Sequence, residues 1–473
     1  MAEFEWLYWL AGFLIVSVII TYILKRRYKQ QTFVVGTIYR TTRPLKWIDA
    51  LAKKLSPVLD AFADIGLILG FGAIAADYLY GRGKGAKKRL LVFLISFVFL
   101  SAVLFIIDFS LNGFISSNPL TRNYTALFYL FFWLFGFAGF VVFWLGLNAF
   151  DIIVKMLAGK QPCPGVGPLI PGVEIPNIPI VVPLHAWISI LIILIIHEGM
   201  HGVTARKNGF SLKSTGLLLL GFLPIGAFVE PDEKQVAKAE PRQALRLFAA
   251  GPMANVAAFF LTLLLILGIA SVLAFTYSPW AAPIKMQSVK GIEVKDLNQS
   301  IEICGETFES PLYGKIQKGD LIEKIDGQSV YSASGFVSLV EERKGKEASI
   351  TFDRNGTTLT EGFFVSSEWS LGFKVKEIKN EAFTPPPLYN ILSTAIDWLG
   401  SFLFWFLLLN FLVAIGNFLP LDPFDGGRIA KMLFLPYFAF LKMPKEDTEK
   451  FIGRLMLWLV LILIALNALP LFF

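Results

Sequence analysis

Runs of apolar residues long enough to cross a bilayer recur along this chain. A membrane-spanning helix needs about 20 mostly apolar residues. Seven runs meet that requirement, at residues 7–24, 90–107, 125–149, 184–205, 245–276, 393–419 and 453–472. An eighth run, 58–80, is weaker because its apolar middle is short and it carries Asp60, Asp64 and Asp77. We predict an interfacial or re-entrant helix there, so the sequence predicts seven or eight spans.

The composition agrees with a membrane protein. Of the 473 residues, 55% are hydrophobic and only 17% are charged, whereas about a quarter of the residues in a soluble domain are charged. The net charge of +7 comes largely from clusters beside apolar runs, at 25–29 and 81–89. Such basic flanks mark the cytoplasmic ends of spans rather than a nucleic-acid interface. We therefore expect a multi-pass cell-membrane protein that binds the lipid bilayer and no nucleic acid.

Two stretches interrupt the helical pattern. Residues 162–183 contain too many prolines for a helix, which predicts an extended segment. Residues 216–233 are apolar but broken by Gly221, Pro224 and Gly226. This pattern predicts a β-hairpin apolar enough to re-enter the bilayer, where protein must cover its backbone.

Residues 280–385 follow a different pattern. Charged residues become frequent, and Asn355-Gly356 separates two alternating segments, which predicts a β-hairpin. We expect a β-rich soluble domain of about 100 residues between two spans. The two cysteines, Cys163 and Cys304, are distant and support neither a disulfide framework nor a cysteine zinc site.

The strongest chemical signal is the sequence His197-Glu198-Gly199-Met200-His201, at the end of an apolar run. Histidines four residues apart lie on one helix face, about 5–6 Å from each other, and can share one zinc ion. Glu198 is then placed to act as a general base. A structural pair of buried histidines is the alternative. However, the chain has three histidines in all, and polar groups inside an apolar span are functional by default.

A catalytic zinc usually has three protein ligands and one open position. His185 precedes His197 by twelve residues on the same helix, roughly 18 Å along the axis, and is too distant. The segment "GNFLPLDPFDGGR", at the end of another apolar run, offers Asp422 and Asp425 before two glycines that permit a tight turn. Alone, these aspartates would indicate a turn at the water interface. Beside a histidine pair that lacks a carboxylate, they are candidate ligands.

The two motifs together resemble those of the site-2 protease family of intramembrane zinc metalloproteases, peptidase family M50. The family pairs H-E-x-x-H on one span with N-x-x-P-x(4)-D-G on a later one, and residues 417–426 match the second motif. The resemblance implies that Asp425 is the third zinc ligand, and it gives Asp422 no role. It also implies that Asn417 holds the substrate or polarises its scissile carbonyl.

Three further segments are similar to known parts. The sequence "AGPMANVAAFF" resembles the family's G-P-x-A-N helix, which implies that Asn255 lies near the site and binds substrate. The sequence "GFLPIGAFV" resembles the re-entrant β-loop that pairs with an extended substrate, so Gly226 is a candidate substrate-binding residue. Residues 313–330 resemble a PDZ domain, which would bind a peptide end by strand addition. A plain β-rich domain is the alternative there.

The sequence thus predicts a polytopic α-helical membrane protein with a re-entrant β-loop and an inserted β-rich, PDZ-like domain. The predicted parts are an N-terminal transmembrane region (1–160), the first part of the catalytic core (161–278), an extracytoplasmic PDZ-like domain (279–385), the second part of the core (386–430), and a C-terminal cytoplasmic segment with the last span (431–473). Basic residues at 205–209 follow the histidine helix, which predicts an active site toward the cytoplasmic side.

The implied function is hydrolysis of peptide bonds of membrane-spanning substrates within the bilayer. Zinc would be held by His197, His201 and Asp425, with Glu198 as general base. The alternative is a non-catalytic membrane scaffold that binds peptide tails through the PDZ-like domain. A solute transporter fits least well, because the sequence shows no internal repeat of the kind that transporters use.

Overall fold

The computed structural model describes residues 5–32, 36–111, 113, 115–116, 120–173, 181–221, 223–303, 306–366 and 373–472. Twelve α-helices are formed within these residues: α1 (Glu5–Tyr28), α2 (Leu45–Ala76), α3 (Ala86–Ser110), α4 (Thr125–Leu157), α5 (Ala186–Lys207), α6 (Glu233–Ala237), α7 (Pro241–Thr276), α8 (Ser278–Ser288), α9 (Ala333–Glu341), α10 (Pro387–Asn417), α11 (Asp425–Phe434) and α12 (Lys445–Ala468). The chain divides into two compact units. The first contains Met1–Phe150, Pro164–Leu264 and Phe402–Phe473, and the second contains Asp151–Cys163 and Leu265–Ser401.

Seven helical segments of the described chain are long and apolar enough to cross a membrane: Leu45–Gly81, Ala86–Ser110, Arg122–Leu157, Ala186–Lys207, Pro241–Thr276, Pro387–Asn417 and Lys445–Phe472. The prediction of a polytopic helical membrane protein is therefore confirmed. The weaker predicted segment, 58–80, lies within a segment of 37 residues, well above the roughly 20 that a span requires. The first predicted run, 7–24, lies in α1.

Helices α2 and α4 are both kinked at a glycine, and the two kinks pack against each other. Gly72 has φ 63° and ψ −146°, and Gly136 has φ 60° and ψ −148°, a region open to glycine alone. A Cβ at Gly72 would lie 2.5 Å from the Trp133 carbonyl oxygen, and one at Gly136 would lie 2.3 Å from the Leu69 carbonyl oxygen. The two backbones therefore touch without side chains between them.

The aspartates that weakened the prediction of 58–80 have basic partners. Asp64 is 2% exposed. Its carboxylate accepts hydrogen bonds from Arg246 at 2.7 and 2.8 Å, from Arg242 at 2.7 Å and from the Tyr80 hydroxyl at 2.7 Å. Arg246 also lies 2.9 Å from Asp60. Pairing offsets the several kcal/mol that burial of a carboxylate costs, and it ties α2 to the start of α7.

The first unit contains a four-stranded antiparallel sheet. Its strands, β1 (Gln31–Thr32), β2 (Gly36–Thr41), β3 (Leu212–Leu220) and β4 (Leu223–Pro231), follow the order β1-β2-β3-β4. The β3–β4 pair is the hairpin predicted within 216–233. Strand β2 was not predicted, and it pairs with β3 so that Tyr39 lies opposite Leu217. This order places β4 at one end of the described sheet, where it packs against α5.

The second unit contains the β-rich part of the chain. Its described strands are β5 (Val289–Leu297), β6 (Ser300–Ile303), β7 (Glu306–Glu309), β8 (Leu321–Ile325), β9 (Gln328–Ser329), β10 (Glu347–Arg354), β11 (Thr357–Phe364) and β12 (Phe373–Lys379). The main sheet has the order β11-β10-β8-β5-β12, with β9 paired to β8, and β6 and β7 form a separate two-stranded sheet. The predicted hairpin is confirmed, because Asn355 (φ 54°) and Gly356 (φ 84°) form the turn between β10 and β11. Three fully buried side chains, Ile292, Ile322 and Phe352, contribute to its core.

The proline-rich stretch 162–183 agrees with its prediction where the structure describes it. Residues 162–173 and 181–183 form neither helix nor strand, and residues 174–180 lie outside the described part. The expectation for the cysteines was wrong, because Cys163 is disulfide-bonded. Cys304, the chain's other cysteine, lies outside the described residues.

Candidate metal centre

Helix α5 presents His197 and His201 on one face, one turn apart. Their Nε2 atoms lie 3.2 Å from each other. Both side chains are shielded from solvent, His197 being 6% and His201 12% exposed. A helix that is largely apolar before His197 therefore directs two imidazoles to one point.

Asp425 brings a carboxylate to the same point from a distant part of the chain. It is the first residue of α11, and its Oδ2 lies 3.2 Å from His197 Nε2 and 3.1 Å from His201 Nε2. The residue after Asp425 must be glycine, because a Cβ at Gly426 would lie 2.3 Å from the Leu419 carbonyl oxygen in the preceding turn. Burial disfavours its charged form, but the nearby imidazoles lower the pKa of Asp425 below its ordinary value. Positive charge at the imidazoles thus favours the ionised carboxylate.

Hydrogen bonds on the far side of each imidazole fix the tautomers. His201 Nδ1 lies 2.8 Å from the Leu247 carbonyl oxygen, which can only accept, so Nδ1 carries the proton. His197 Nδ1 lies 2.6 Å from Asn255 Oδ1, while Asn255 Nδ2 donates to Asn410 Oδ1 at 3.1 Å. In the neutral rings both Nε2 atoms are therefore bare acceptors.

A divalent cation fits these three atoms. Two nitrogen lone pairs and a carboxylate oxygen, mutually 3.1–3.2 Å apart, repel one another unless a positive charge lies between them. Tetrahedral zinc with bonds of about 2.0–2.1 Å separates its ligand atoms by roughly 3.3 Å. The observed triangle is close to that size. His197, His201 and Asp425 are therefore suited to hold zinc and leave a fourth position open.

Gly251 allows α7 to pack directly against the imidazoles of His197 and His201. A Cβ at Gly251 would lie 2.3 Å from His201 Nε2 and 2.8 Å from His197 Nε2. No side chain larger than hydrogen is compatible with the two imidazoles in this arrangement. The helix thus contributes three features to the centre: the Leu247 carbonyl, the Gly251 backbone and the Asn255 amide.

Glu198 lies beside the triangle and does not complete it. Its carboxylate and the two imidazoles have ligand atoms within 4.8 Å of one another, a looser grouping than the one that includes Asp425. Glu198 Oε2 accepts a hydrogen bond from the Val229 backbone N–H at 3.2 Å. The carboxylate therefore lies between the candidate metal position and strand β4.

The remaining predicted residues lie at varied places. Asn255 is fully buried behind His197, a position that favours orienting the imidazole over the substrate contact that the resemblance implied. Asn417 ends α10 and donates to the Val413 carbonyl at 2.9 Å. Gly226 lies on β4 opposite Leu218. Asp422 does not join the triangle: it is half exposed and pairs with Lys431 at 2.7 Å.

Three contributors were not assigned from the sequence. Asn410 was a visible signal, since it is a lone amide in the apolar run "FLLLNFLV". Gly251 stands in the G-P-x-A-N segment but was given no role. The Leu247 carbonyl could not be identified, because any residue type offers the same backbone oxygen.

Three converging side chains suited to a metal ion, with a carboxylate beside them and helices apolar enough to span a bilayer, are the features of a membrane-embedded metallopeptidase. Comparison with known proteins specifies the family. The model of peptidase family M50 matches residues 185–463, more than half of the chain, and the protein therefore belongs to this family of site-2-type zinc metalloproteases.

Two relatives illustrate the similarity. The chain is 31% identical over 316 residues to an uncharacterized protein of Methanocaldococcus jannaschii, MJ0971, and the alignment covers 66% of this chain and 71% of the relative. It is 25% identical over 291 residues to the zinc metalloprotease RasP of Shouchella clausii, covering 51% of this chain and 63% of RasP.

Proposed function

We propose that this protein is a zinc metalloendopeptidase that hydrolyses peptide bonds of membrane-spanning substrates within the bilayer. The observation that carries the proposal is the meeting of His197, His201 and Asp425 at one point beside Glu198. The candidate ligands come from α5 and from the start of α11, which follows α10 after a short loop, and α5 and α10 are apolar enough to span a membrane.

The chemistry of the chain's own residues follows from their placement. A zinc ion, when bound, supplies Lewis acidity and makes water acidic enough to react near neutral pH. Glu198 takes the proton from the attacking water and delivers it to the amine nitrogen of the leaving peptide. Asn255 and the Leu247 carbonyl accept hydrogen bonds from Nδ1 of His197 and His201, so each ring is held with its Nε2 toward the candidate metal position.

Strand β4 is the proposed holding surface for the substrate. Backbone N–H and C=O groups at the end of a sheet can bind an extended peptide by strand addition, and the Val229 N–H at this edge already points at Glu198. A helical substrate must unwind to pair here, so helix-breaking residues in the substrate lower the cost. Gly226 on the same strand and Asn417 at the end of α10 are proposed substrate contacts.

Orientation and the soluble part belong to the same proposal. Basic residues at the end of the histidine helix favour an active site toward the cytoplasmic side. We propose that residues 279–385 form an extracytoplasmic PDZ-like domain that binds a peptide end. Supporting this, β12 stands at the end of the described main sheet, and its Glu377 accepts a hydrogen bond at 2.9 Å from the Ala333 N–H at the start of α9.

A non-catalytic scaffold is the second candidate. It would explain a β-rich domain on a membrane anchor, but it gives no reason for three ligand atoms to converge at nearly the separations that zinc sets. Zinc content separates the two. The protease predicts one zinc per chain after purification, lost on chelation and lost in a His201→Ala variant, whereas the scaffold predicts no stoichiometric metal.

Glu198→Gln is the decisive variant for the protease. Glutamine keeps an oxygen that can accept from the Val229 N–H but cannot carry the proton, so we expect full zinc content and at least about a 10²-fold loss of cleavage. The measurement compares membrane proteomes of cells with wild-type or variant protein and identifies spans that accumulate uncut. Normal processing in the variant would refute the role of Glu198.

A further inference from the structure

An apolar cavity of about 570 Å³ opens beside the candidate general base. It lies between the β1–β4 sheet and the helices α2 and α5. Its helical wall includes Trp47 and Leu51 from α2 and Ile195 from α5. Among the described residues that line it, Glu198 alone is charged.

One wall of this cavity comes from outside the matched family region. The match to peptidase family M50 begins at residue 185, whereas β2 and the first turns of α2 lie at residues 36–51. Trp47 is 76% exposed although it is among the largest side chains on this wall. The N-terminal region therefore supplies apolar surface to a cavity that contains Glu198.

The opposite wall is formed mainly by one face of the sheet. Residues directly opposite each other in antiparallel strands share a face, as do residues two positions apart. The registers place two rows on the face that lines the cavity: Tyr39, Leu217 and Ala227 in one, and Thr41, Thr215 and Val229 in the other.

A strand added to β4 would extend both rows by one residue. The substrate residue opposite Val229 or Ala227 would then direct its side chain into the cavity, while its neighbours would point to the other face. The Val229 N–H now donates to Glu198, so an added strand would take over this N–H. The substrate residue opposite Val229 would then lie next to the base, close to the bond being cut. The apolar lining selects an apolar side chain.

We propose that the segment 39–51 forms a specificity subsite for one large apolar side chain of the substrate, next to the scissile bond, with Trp47 as its main determinant. The inference rests on the proposed protease function and adds the substrate feature that the N-terminal region would recognise, namely a large apolar side chain. Trp47 could instead be an interfacial anchor, a usual place for tryptophan, and an anchor has no effect on which bond is cut.

The test compares cleavage preference rather than activity alone. Wild-type protein with zinc, in proteoliposomes, is given a pool of synthetic membrane-spanning peptides whose central residues vary among Gly, Ala, Val, Leu and Phe, and mass spectrometry maps every cut. Wild type should prefer Leu or Phe at one fixed position relative to the cut bond. Trp47→Ala should lower the preference for Phe over Ala at that position at least about tenfold.

Two further variants keep the result interpretable. Ala227→Leu narrows the cavity from the sheet side and should shift the preference toward Ala and Gly, independently of Trp47. Trp458→Ala, which removes another exposed tryptophan (62%) from α12, should leave the preference unchanged. Cleavage with the same preference in wild type, Trp47→Ala and Ala227→Leu overturns the subsite. Absence of cleavage by wild type refutes the protease function itself, and the subsite with it.

Discussion

Replacing Asn255 with leucine should weaken zinc binding about 10- to 100-fold. Asn255 is fully buried, and its Oδ1 accepts the His197 Nδ1 proton at 2.6 Å. Leucine has nearly the same shape but no acceptor, so a buried N–H loses its partner at a cost of about 1–3 kcal/mol. The ring is then free to rotate or change tautomer. The expected loss of affinity corresponds to about 1.4–2.7 kcal/mol, at about 1.4 kcal/mol per tenfold.

Two related variants test whether the effect travels through this one chain of hydrogen bonds. Asn410→Leu removes the amide that fixes Asn255 but leaves the bond to His197, so the loss should be smaller. The double variant should bind zinc no more weakly than Asn255→Leu, because residues acting in one network are not additive. Asn417→Leu is the matched control: its amide donates to its own helix at 2.9 Å, and zinc affinity should not change.

The assay is competition with a chelator of known zinc affinity, on detergent-purified protein at fixed pH, with thermal unfolding recorded for each variant. A folded Asn255→Leu protein that binds zinc as tightly as wild type would refute the orienting role. That role is equally contradicted if Asn417→Leu weakens zinc binding as much as Asn255→Leu.

The remaining predictions concern the backbone packed against the candidate metal centre and the buried ion pair between α2 and α7. Gly251→Ala should abolish zinc binding, because the new Cβ would lie 2.3 Å from His201 Nε2, whereas Gly268→Ala on the same helix meets nothing within 4 Å and should keep full metal content. Asp64→Asn breaks a buried ion pair with Arg246 and should destabilise the protein by about 3–5 kcal/mol. Its thermal unfolding temperature in detergent should fall clearly, and an unchanged temperature would contradict the structural role of that pair.

Sequence patterns were sufficient to predict a site or a turn where few residue types are tolerated at low free-energy cost. His197, Glu198 and His201 in an apolar helix stand out because burial of such groups needs compensation. The Asn355-Gly356 turn was predictable because few residues adopt two successive positive φ angles. In both cases the local chemistry restricts the structure enough that no distant information is needed.

Sequence patterns were insufficient where the partner is remote in the chain. Asp60 and Asp64 made a span at 58–80 look unfavourable in the sequence, because their partner Arg246 lies more than 180 positions away and could not be identified. Strand β2 is six residues long, and what defines it is pairing with β3 rather than its own alternation. The third candidate ligand could be chosen only from the family motif, since the residue pattern alone did not distinguish Asp425 from Asp422.

The N-terminal helices α2 and α4 pack around the loop that leads to the candidate metal centre. Phe418, fully buried, begins the loop that leads to Asp425, and it is enclosed by residues from α2 and α4. Phe137 stacks on its ring at 6.1 Å, Phe71 meets it edge-on at 6.5 Å, and a Cβ at Gly70 would lie 2.3 Å from it. Aromatic pairs of this kind contribute about 0.5–1.5 kcal/mol each beyond burial. The position of the third candidate ligand thus depends on packing supplied by the region outside the family match.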